Sequence, residues 1–539
     1  MDKETFDKYS KIIKSYDNIT NVNNKSFDDA FECINFFYKN KEYYLWIENS
    51  EYEMPILFTT SKEDHPHYLS FIEKVGVRYI CLFDNIDLIN SIIPQEDKIR
   101  IVIERLIKLE NLSKNEISKE YLKEFSLYWD KVCECKDEKL QLYLANETEY
   151  EWLNSYVYNV SNKKTIRYVA DGIVFNDKDK RKLNFSNKKA LFLKITNTNG
   201  LLPPINNKKW SSTEIIDIFC NTQLSRIVKK AFDDICNISY SRDNLMLILE
   251  INNFYVACEI QFKNSGTAKL VNKIENQIVN ITHRNIKRCD FNYLSNQIGN
   301  DVFLKDKRIL LIGCGSLGSY ISEELIKSGC TNLTVYDGDI YEPENICRNK
   351  YPLVDEGYNK ALLTEFSLKY YHPEIDIISN SENFGVDKSL DGYDLIISTV
   401  GSSDTQLKFN EYFHEKFSNK PVVYAWLEGD GNSSHALCTY NNGRGCYNCC
   451  FISENKEYTD NRFNISEPSQ TKYISNCCGG TRIAYGTSTL LSATLIVLKA
   501  VEDVFADAQN EPFIYNFING CISKSFQVKS NGCDFCNEN

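Results

Sequence analysis

No stretch of this sequence stays apolar long enough to cross a bilayer. The longest, Leu490 to Leu498, is nine residues, where about 20 are needed. The first residues, MDKETFDKYSK, are polar and lack the apolar centre of a signal peptide. No internal repeat or low-complexity tract is present, so a repeat architecture is not expected. An excess of basic charge is missing too. The 62 Lys and Arg stand against 74 Asp and Glu, for a net charge of −12, which argues against general nucleic-acid binding. The expectation is a cytoplasmic chain with no membrane and no nucleic-acid partner. What is abundant is cysteine, 20 residues in all. Without an export signal, these point to thiols and metal sites in a reducing compartment rather than disulfides. The hydrophobic fraction of 42% and charged fraction of 25% are ordinary for a folded protein, and 539 residues leave room for roughly two to four domains.

The chain is organised around Arg308 to Lys360. Ile309 to Ile312 is a short apolar run that suits a buried strand. Gly313, Gly315 and Gly318 follow as G-x-G-x-x-G. Ser319 to Lys327 has helical spacing, with Tyr320, Ile321, Leu325 and Ile326 on its apolar side, and Gly329 is a helix stop. Leu333 to Val335 is a second strand with Asp337 at its end, 19 residues after Gly318. This is a strand-turn-helix-strand phosphate-binding pattern: the glycines admit a phosphate to the backbone, the helix N-terminus favours its charge, and the acid can accept from a ribose hydroxyl. A dinucleotide and hydride transfer would be the usual inference. The next polar residues, Asn345, Arg348 and Lys360, argue otherwise. Two cations beyond the ribose acid suit a triphosphate, whose oxygens they can hold while pyrophosphate leaves.

Further on, Cys446-Tyr-Asn-Cys449 and Cys533-Asp-Phe-Cys536 form two C-x-x-C pairs. Paired thiolates of this spacing bite one Zn²⁺ from two tight turns. Four of them close its coordination sphere, so the expected zinc is structural. Cys450 adjoins the site.

With these residues in view, the sequence resembles the ThiF/MoeB family, the adenylating fold of ubiquitin-activating enzymes. The match rests on the glycine loop, Asp337-Gly-Asp339, Asn345-Ile-Cys-Arg348 and Lys360, and covers about Arg284 to Cys536. The resemblance implies that Asp337 binds the ribose of ATP, that Arg348 and Lys360 bind its phosphates, and that Asp404, after the strand Asp394 to Thr399, holds Mg²⁺. Asp404 lies three residues beyond the family's usual place. A homodimer is implied as well, with Arg288 as a possible arginine reaching the opposite subunit; a solvated surface charge is the other reading of Arg288. Within Asn476-Cys-Cys478-Gly-Gly-Thr-Arg-Ile-Ala-Tyr485-Gly, which follows a polar run from Ser453 to Ser475, the family likeness makes Cys478, rather than Cys477, the thioester carrier.

Residues 1–135 read as an α+β unit: a helix over Asp2 to Ser15, strands at Tyr43 to Ile47 and Ile56 to Phe58, and helices at Lys98 to Leu109 and Glu120 to Trp129. On its own, Cys81 is a buried small hydrophobe. In context, the meander, His65-Pro66-His67, Cys81 and then helices resemble ubiquitin-conjugating enzymes, and more closely the bacterial variants fused ahead of a ThiF domain. That likeness implies an acyl thioester on Cys81. Where those enzymes have Asn after His-Pro, this chain has His67, so either His67 supplies the oxyanion donor or the site works differently. Residues 136–280 suggest strands, with Leu245 to Phe262 a hairpin, and no catalytic constellation.

The expected architecture is therefore α/β: a C-terminal Rossmann-like ThiF adenylation domain over 281–539 with a four-cysteine zinc site, preceded by a ubiquitin-conjugating-like domain (1–135) and a β-rich linker domain (136–280). The expected activity is ATP-dependent adenylation of a partner's C-terminal glycine carboxylate, thioester transfer through Cys478 then Cys81, and conjugation to an amine. The fusion resembles the activating–conjugating proteins of bacterial CBASS anti-phage operons, whose partner is a cGAS-like nucleotidyltransferase; a ubiquitin-like protein is the other expected partner. A sulfur-carrier adenylyltransferase, which would not need Cys81, and a non-catalytic scaffold on a nucleotide fold are the alternatives.

Overall fold

The structure, a computed structural model, describes the chain except at residues 1, 28–30, 48–52, 73–74, 84–92, 135–137, 145, 161–163, 171–183, 197, 199–200, 221–244, 263–277, 298–302, 430, 467–472, 476–480, 507–509 and 538–539. Two compact units result. One comprises Met1–Leu142, Asn146–Gly172 and Lys180–Lys287, the other Tyr143–Ala145, Ile173–Asp179 and Arg288–Asn539.

In the first unit, the Asp2 carboxylate accepts the Thr5 N–H at 2.8 Å and starts the helix Lys3–Lys14. Strands β1 (Ile19–Phe27), β2 (Phe31–Tyr38), β3 (Lys41–Trp46), β4 (Ile56–Thr59), β5 (Tyr68–Ile72) and β6 (Val77–Ile80) make one antiparallel sheet in the order β1-β2-β3-β4-β6-β5. Helix Gln95–Glu110 presents Ile99, Val102, Ile103, Leu106 and Leu109 at helical spacing, and they pack with Ile34, Phe36, Tyr43 and Leu45 of the sheet. The helical pattern around Glu120 to Trp129 is two helices, Lys114–Lys123 and Phe125–Val132, because Glu124 leaves helical geometry at φ −100°, ψ 17°.

The same unit contains a closed barrel of β7 (Glu138–Tyr143), β8 (Tyr150–Val160), β9 (Lys164–Ala170), β10 (Asn184–Ile195), β11 (Leu245–Ile251), β12 (Phe254–Phe262) and β13 (Ile278–Arg288), in the order β10-β11-β12-β13-β7-β9-β8. Leu191, Leu193, Leu247, Leu249, Val256 and Cys258 are among its core residues, and Phe125 and Trp129 join that cluster. The Trp129 indole N–H donates to the Arg284 carbonyl at 3.0 Å, and its ring meets Trp210 and His283 at 5.0 and 4.9 Å. Trp129 is core packing, as its apolar neighbours suggest. Arg284 is buried and paired with Glu138 and, at 3.6 Å, Glu259.

In the second unit, β14 (Arg308–Ile312), β15 (Asn332–Tyr336), β16 (Asp376–Asn380), β17 (Leu395–Ser398) and β18 (Val422–Leu427) are parallel, and β19 (Ser433–Thr439) turns antiparallel. A small ribbon of β20 (Tyr473–Ser475) and β21 (Thr481–Ile483) stands apart, and β22 (Phe513–Ile518) and β23 (Cys521–Ser525) complete the main sheet as β16-β15-β14-β17-β18-β19-β22-β23. The apolar runs of the parallel strands are continuous because both faces are covered. Ile309 and Leu311 face one core with Ile321, Leu325 and the helix Thr487–Ala506; Leu310 and Ile312 face another with Phe409 and Phe413. This is the Rossmann-like α/β arrangement expected from the motif.

Arg288 is neither a solvated charge nor a reaching arginine here. It is buried, and its Nε pairs with Asp290 at 2.6 Å. Replacing Trp129 by Ala should remove a fully packed ring and cost about 3–5 kcal/mol. The measurement is the urea midpoint of the first unit's transition, followed by tryptophan fluorescence.

Candidate functional site

Three chain turns meet at the carboxyl ends of β14, β15 and β17, where β14 has β15 on one side and β17 on the other. Such a switch point opens a crevice above the sheet. Gly313 leaves β14 at φ +95°, a left-handed conformation that suits glycine. Its N–H donates to the Tyr336 carbonyl at 2.8 Å, and its carbonyl accepts the Thr399 hydroxyl at 2.9 Å. One residue thus pins the ends of all three strands. Gly318, in the helix Ser316–Lys327, lies so near Gly313 that a Cβ there would overlap the Gly313 carbonyl; a Cβ on Gly315 would meet nothing within 4 Å. Gly318 serves close packing, while Gly315 fronts open space at the helix N-terminus.

Asp337 is buried just past β15, and its two oxygens accept backbone amides from different loops. Cys314 N–H donates to Oδ2 at 2.6 Å and Asp339 N–H to Oδ1 at 2.8 Å. Burial raises its carboxyl above the usual carboxylate range, opposed by those two amides and by Lys360. Each carboxylate oxygen retains a lone pair for a further donor. Lys360 is buried, with Nζ 2.8 Å from Asp339 Oδ2, and its amide donates to the Asp339 carbonyl at 3.0 Å. The preceding Asn359 caps that helix, accepting from Leu362 N–H at 3.1 Å, while its own amide donates to the Asp337 carbonyl at 2.8 Å.

The Asn345 carbonyls build the turn that presents Arg348. The side-chain oxygen accepts from Glu342 N–H at 3.2 Å, and the main-chain oxygen accepts from Arg348 and Asn349, each at 3.0 Å. Asn349 in turn accepts the Ser319 hydroxyl at 3.2 Å, tying this turn to the glycine helix. Arg348 Nε is buried and has no hydrogen-bond partner among the described residues. A guanidinium nitrogen left in that state is unusual unless an anion joins it. Asp404 is exposed in the first turn of the helix Ser403–Lys416, whose N-cap is Ser402.

Away from this crevice, Cys446, Cys449, Cys533 and Cys536 are buried, with sulfur atoms all within 4.8 Å of one another. Three of the separations are 3.9, 3.8 and 3.6 Å. A tetrahedron with arms of about 2.3 Å has edges of about 3.8 Å, so one metal ion fits the cluster. Asn410 and Asn448 direct side-chain amides at Cys446 and Cys533 from 3.7 and 3.6 Å. Cys450 points into the neighbouring apolar core instead, and burial pushes its thiol up.

In the first unit, Cys81 follows β6 and is half-buried. Its N–H donates to the His67 carbonyl at 2.9 Å. His67 has φ +69°, and its ring nitrogens lie 2.9 Å from Glu124 and 3.2 Å from Glu120. The His67 side chain is therefore already engaged and is not a spare oxyanion donor. Cys478, like Cys477, lies outside the described residues. The run leading toward it is pinned over its described part: Glu428 accepts Ile465 N–H at 3.0 Å and Ser466 N–H at 2.9 Å while pairing with the buried His435 at 2.5 Å.

Thr399 and Asn359 were not singled out in the sequence. Asn before a helix start is a legible cap signal, but Thr399 acquires its role only from the sheet order.

Fold and crevice together define a nucleotide-binding domain of the Rossmann type. Residues 296–533 match the ThiF family. The chain is similar to the ATP-dependent ubiquitin transferase-like protein Cap2 of Escherichia coli, 27% identical over 248 residues, covering 44% of this chain and 41% of that protein. Cap2 of Vibrio cholerae is 26% identical over 319 residues, 55% and 54% of the two chains. The adenylyltransferase and sulfurtransferase MOCS3 of Drosophila sechellia is 24% identical over 243 residues, 43% and 49%. The aligned stretch spans about half the length of these relatives. Among the described residues, no helix is long and apolar enough to cross a membrane.

Gly318→Ala should destabilise the second unit by about 1–3 kcal/mol through the overlap with Gly313, whereas Gly315→Ala should change stability by less than about 0.5 kcal/mol. Urea unfolding of the two variants distinguishes the roles.

Proposed function

We propose that the chain adenylates the C-terminal carboxylate of a partner protein with ATP and passes the acyl group through cysteine thioesters to an amine. The observation that carries this reading is the crevice of Gly315, Asp337, Arg348 and Lys360. Open space at a helix N-terminus, a buried ribose acceptor and two cations, one with an unpartnered guanidinium nitrogen, suit a nucleoside triphosphate better than a dinucleotide. Asp337 accepts from the ribose. Arg348 and Lys360 hold phosphate oxygens and offset the charge that develops as the carboxylate attacks the α-phosphate and pyrophosphate leaves. Asp339 holds Lys360 in place. Asp404, an exposed carboxylate on the loop side of the sheet, would hold Mg²⁺ together with substrate phosphates, a common way for one carboxylate to bind this ion; the ion would neutralise phosphate charge.

In this reading, Cys478 takes the acyl group from the adenylate and Cys81 receives it by transthioesterification before an amine attacks. The meander, its covering helix and a half-buried Cys81 beside His65-Pro66-His67 support a ubiquitin-conjugating-like role for the N-terminal region. The likeness to Cap2 supports placing the protein in CBASS anti-phage defence, with a cGAS-like nucleotidyltransferase as the activated partner. The chain acts as a homodimer. The four-cysteine cluster holds a structural Zn²⁺ that ties the C-terminal residues to the sheet.

Arg348→Ala should lower partner-dependent ATP–pyrophosphate exchange by about 100-fold or more without a change in the urea midpoint. Intact mass after incubation with partner and ATP should show a thiol-labile adduct, and Cys81→Ala should block the final conjugate. Activity that survives Cys81→Ala would favour the sulfur-carrier reading instead. Elemental analysis should find one zinc per chain, and Cys449→Ser should release it and lower the melting temperature.

A further inference from the structure

Two carboxylates converge on the residue that holds the Cys81 backbone. Glu120 lies on the helix Lys114–Lys123, and Glu124 sits at the break before Phe125–Val132. His67 Nε2 lies 3.2 Å from Glu120 Oε2, and Nδ1 lies 2.9 Å from Glu124 Oε1. The His67 main-chain N–H also donates to Glu124 Oε2 at 2.9 Å. Glu124 therefore grips both the ring and the backbone of one residue. That residue is in the left-handed region, at φ +69°, which a side chain other than glycine adopts only when its surroundings enforce it. The His67 carbonyl, turned by this conformation, accepts the Cys81 N–H at 2.9 Å.

We propose that Glu124 and Glu120 are positioning residues for Cys81, acting through the imidazole and carbonyl of His67. The proposal rests on the reading of Cys81 as an acyl carrier and adds what holds it in register. With both ring nitrogens donating, the imidazole is the charged form, and each carboxylate has a donor. When the ring loses a proton, one carboxylate loses its ring donor, leaving Glu124 only the His67 main-chain N–H or Glu120 only Lys123, and the turn loosens. Glu124 sits at the break between the two helices, at φ −100° and ψ 17°, and from there its carboxylate accepts the His67 main-chain N–H.

Burial alone would lower the His67 pKa, but Glu124 and Glu120 outweigh it and raise it above the ordinary histidine value. Both glutamates are in turn held below the usual carboxylate range: burial raises them, and pairing with Lys123 and His67 for Glu120, or with His67 for Glu124, prevails. The sign follows. The histidine's contribution is complete below about 6.5, its unfolded value, and is lost as pH rises through its higher folded value. The glutamates' contribution is lost as pH falls through their depressed values. The other titratable and charged groups around the clamp are Lys123, 2.7 Å from Glu120; Lys131, which burial and then Arg78 lower against the opposing pull of Asp64 and Glu124; His65 on the same segment, lowered by burial; and the Asp64–Arg78 pair at 3.6 Å.

The test is the pH dependence of Cys81 alkylation by iodoacetamide in the full chain, quantified on the Cys81 peptide by mass spectrometry. It needs neither partner nor ATP, so it stands apart from the thioester reading. The wild-type rate should show, besides deprotonation of the thiol, a rise at the His67 titration. In Glu124→Gln that rise should move to lower pH, because a charge partner that raises the imidazole is gone. Glu124→Asp should restore much of the wild-type profile, and His67→Asn, which tolerates the same backbone conformation, should abolish the rise. Superimposable profiles for wild type, Glu124→Gln and His67→Asn would overturn the proposal. A shifted profile with no partner adduct on Cys81 would sink the acyl-carrier reading and leave the positioning role standing.

Discussion

The Asp337 carboxylate links the two loops that frame the crevice of the C-terminal unit. It joins the glycine turn after β14 to the loop after β15 by accepting one amide from each, at 2.6 and 2.8 Å. A buried carboxylate without donors would be costly, so these amides are what let an acid stand at the end of a central strand. Through Asp339 the same link reaches Lys360 at 2.8 Å. The acid, the cation and the glycine turn are therefore one connected structure rather than three residues brought together by a ligand. Preorganisation of this kind suits the proposed adenylation, in which the charge to be offset would appear only as pyrophosphate departs.

The four-cysteine cluster follows a related logic at the opposite end of the sequence. Cys446 and Cys449 lie beside the sheet, while Cys533 and Cys536 belong to the last residues of the chain. Four buried sulfurs, two from each segment, converge within 4.8 Å, and the side-chain amides of Asn410 and Asn448 direct donors at the sulfur atoms. Cys450 shows the limit of reading thiols by adjacency: one residue from a cluster member, it is packed in a separate apolar core.

The N-terminal region makes the contrary point about a motif read from a resemblance. Histidine stands where the conjugating enzymes have asparagine, and its imidazole is taken up by Glu120 and Glu124. With both nitrogens bound, the His67 ring has no donor left for an oxyanion. Its carbonyl does something else, fixing the main chain at Cys81. Arg288 is a parallel case, since an arginine that sequence alone leaves as either a solvated or a reaching charge is consumed by Asp290 in the interior.

Much of the fold was legible because it was written in local patterns. Continuous apolar runs bounded by glycine marked the parallel strands, and the spacing of Gly313, Gly315, Gly318 and Asp337 placed a phosphate turn and an acid at adjacent strand ends. Two C-x-x-C pairs announced a metal-sized cluster. Each of these signals lies within a few dozen residues or rests on the identity of the side chain. What sequence could not supply was the partner of each charge. That Thr399 pins the glycine turn, that Arg348 keeps an unpartnered nitrogen while Arg284 and Arg288 do not, and that a helix breaks at Glu124 to reach His67 are matters of long-range contact. Only the tertiary structure decided them, because whether a buried charge is spent or available depends on which distant segment packs against it.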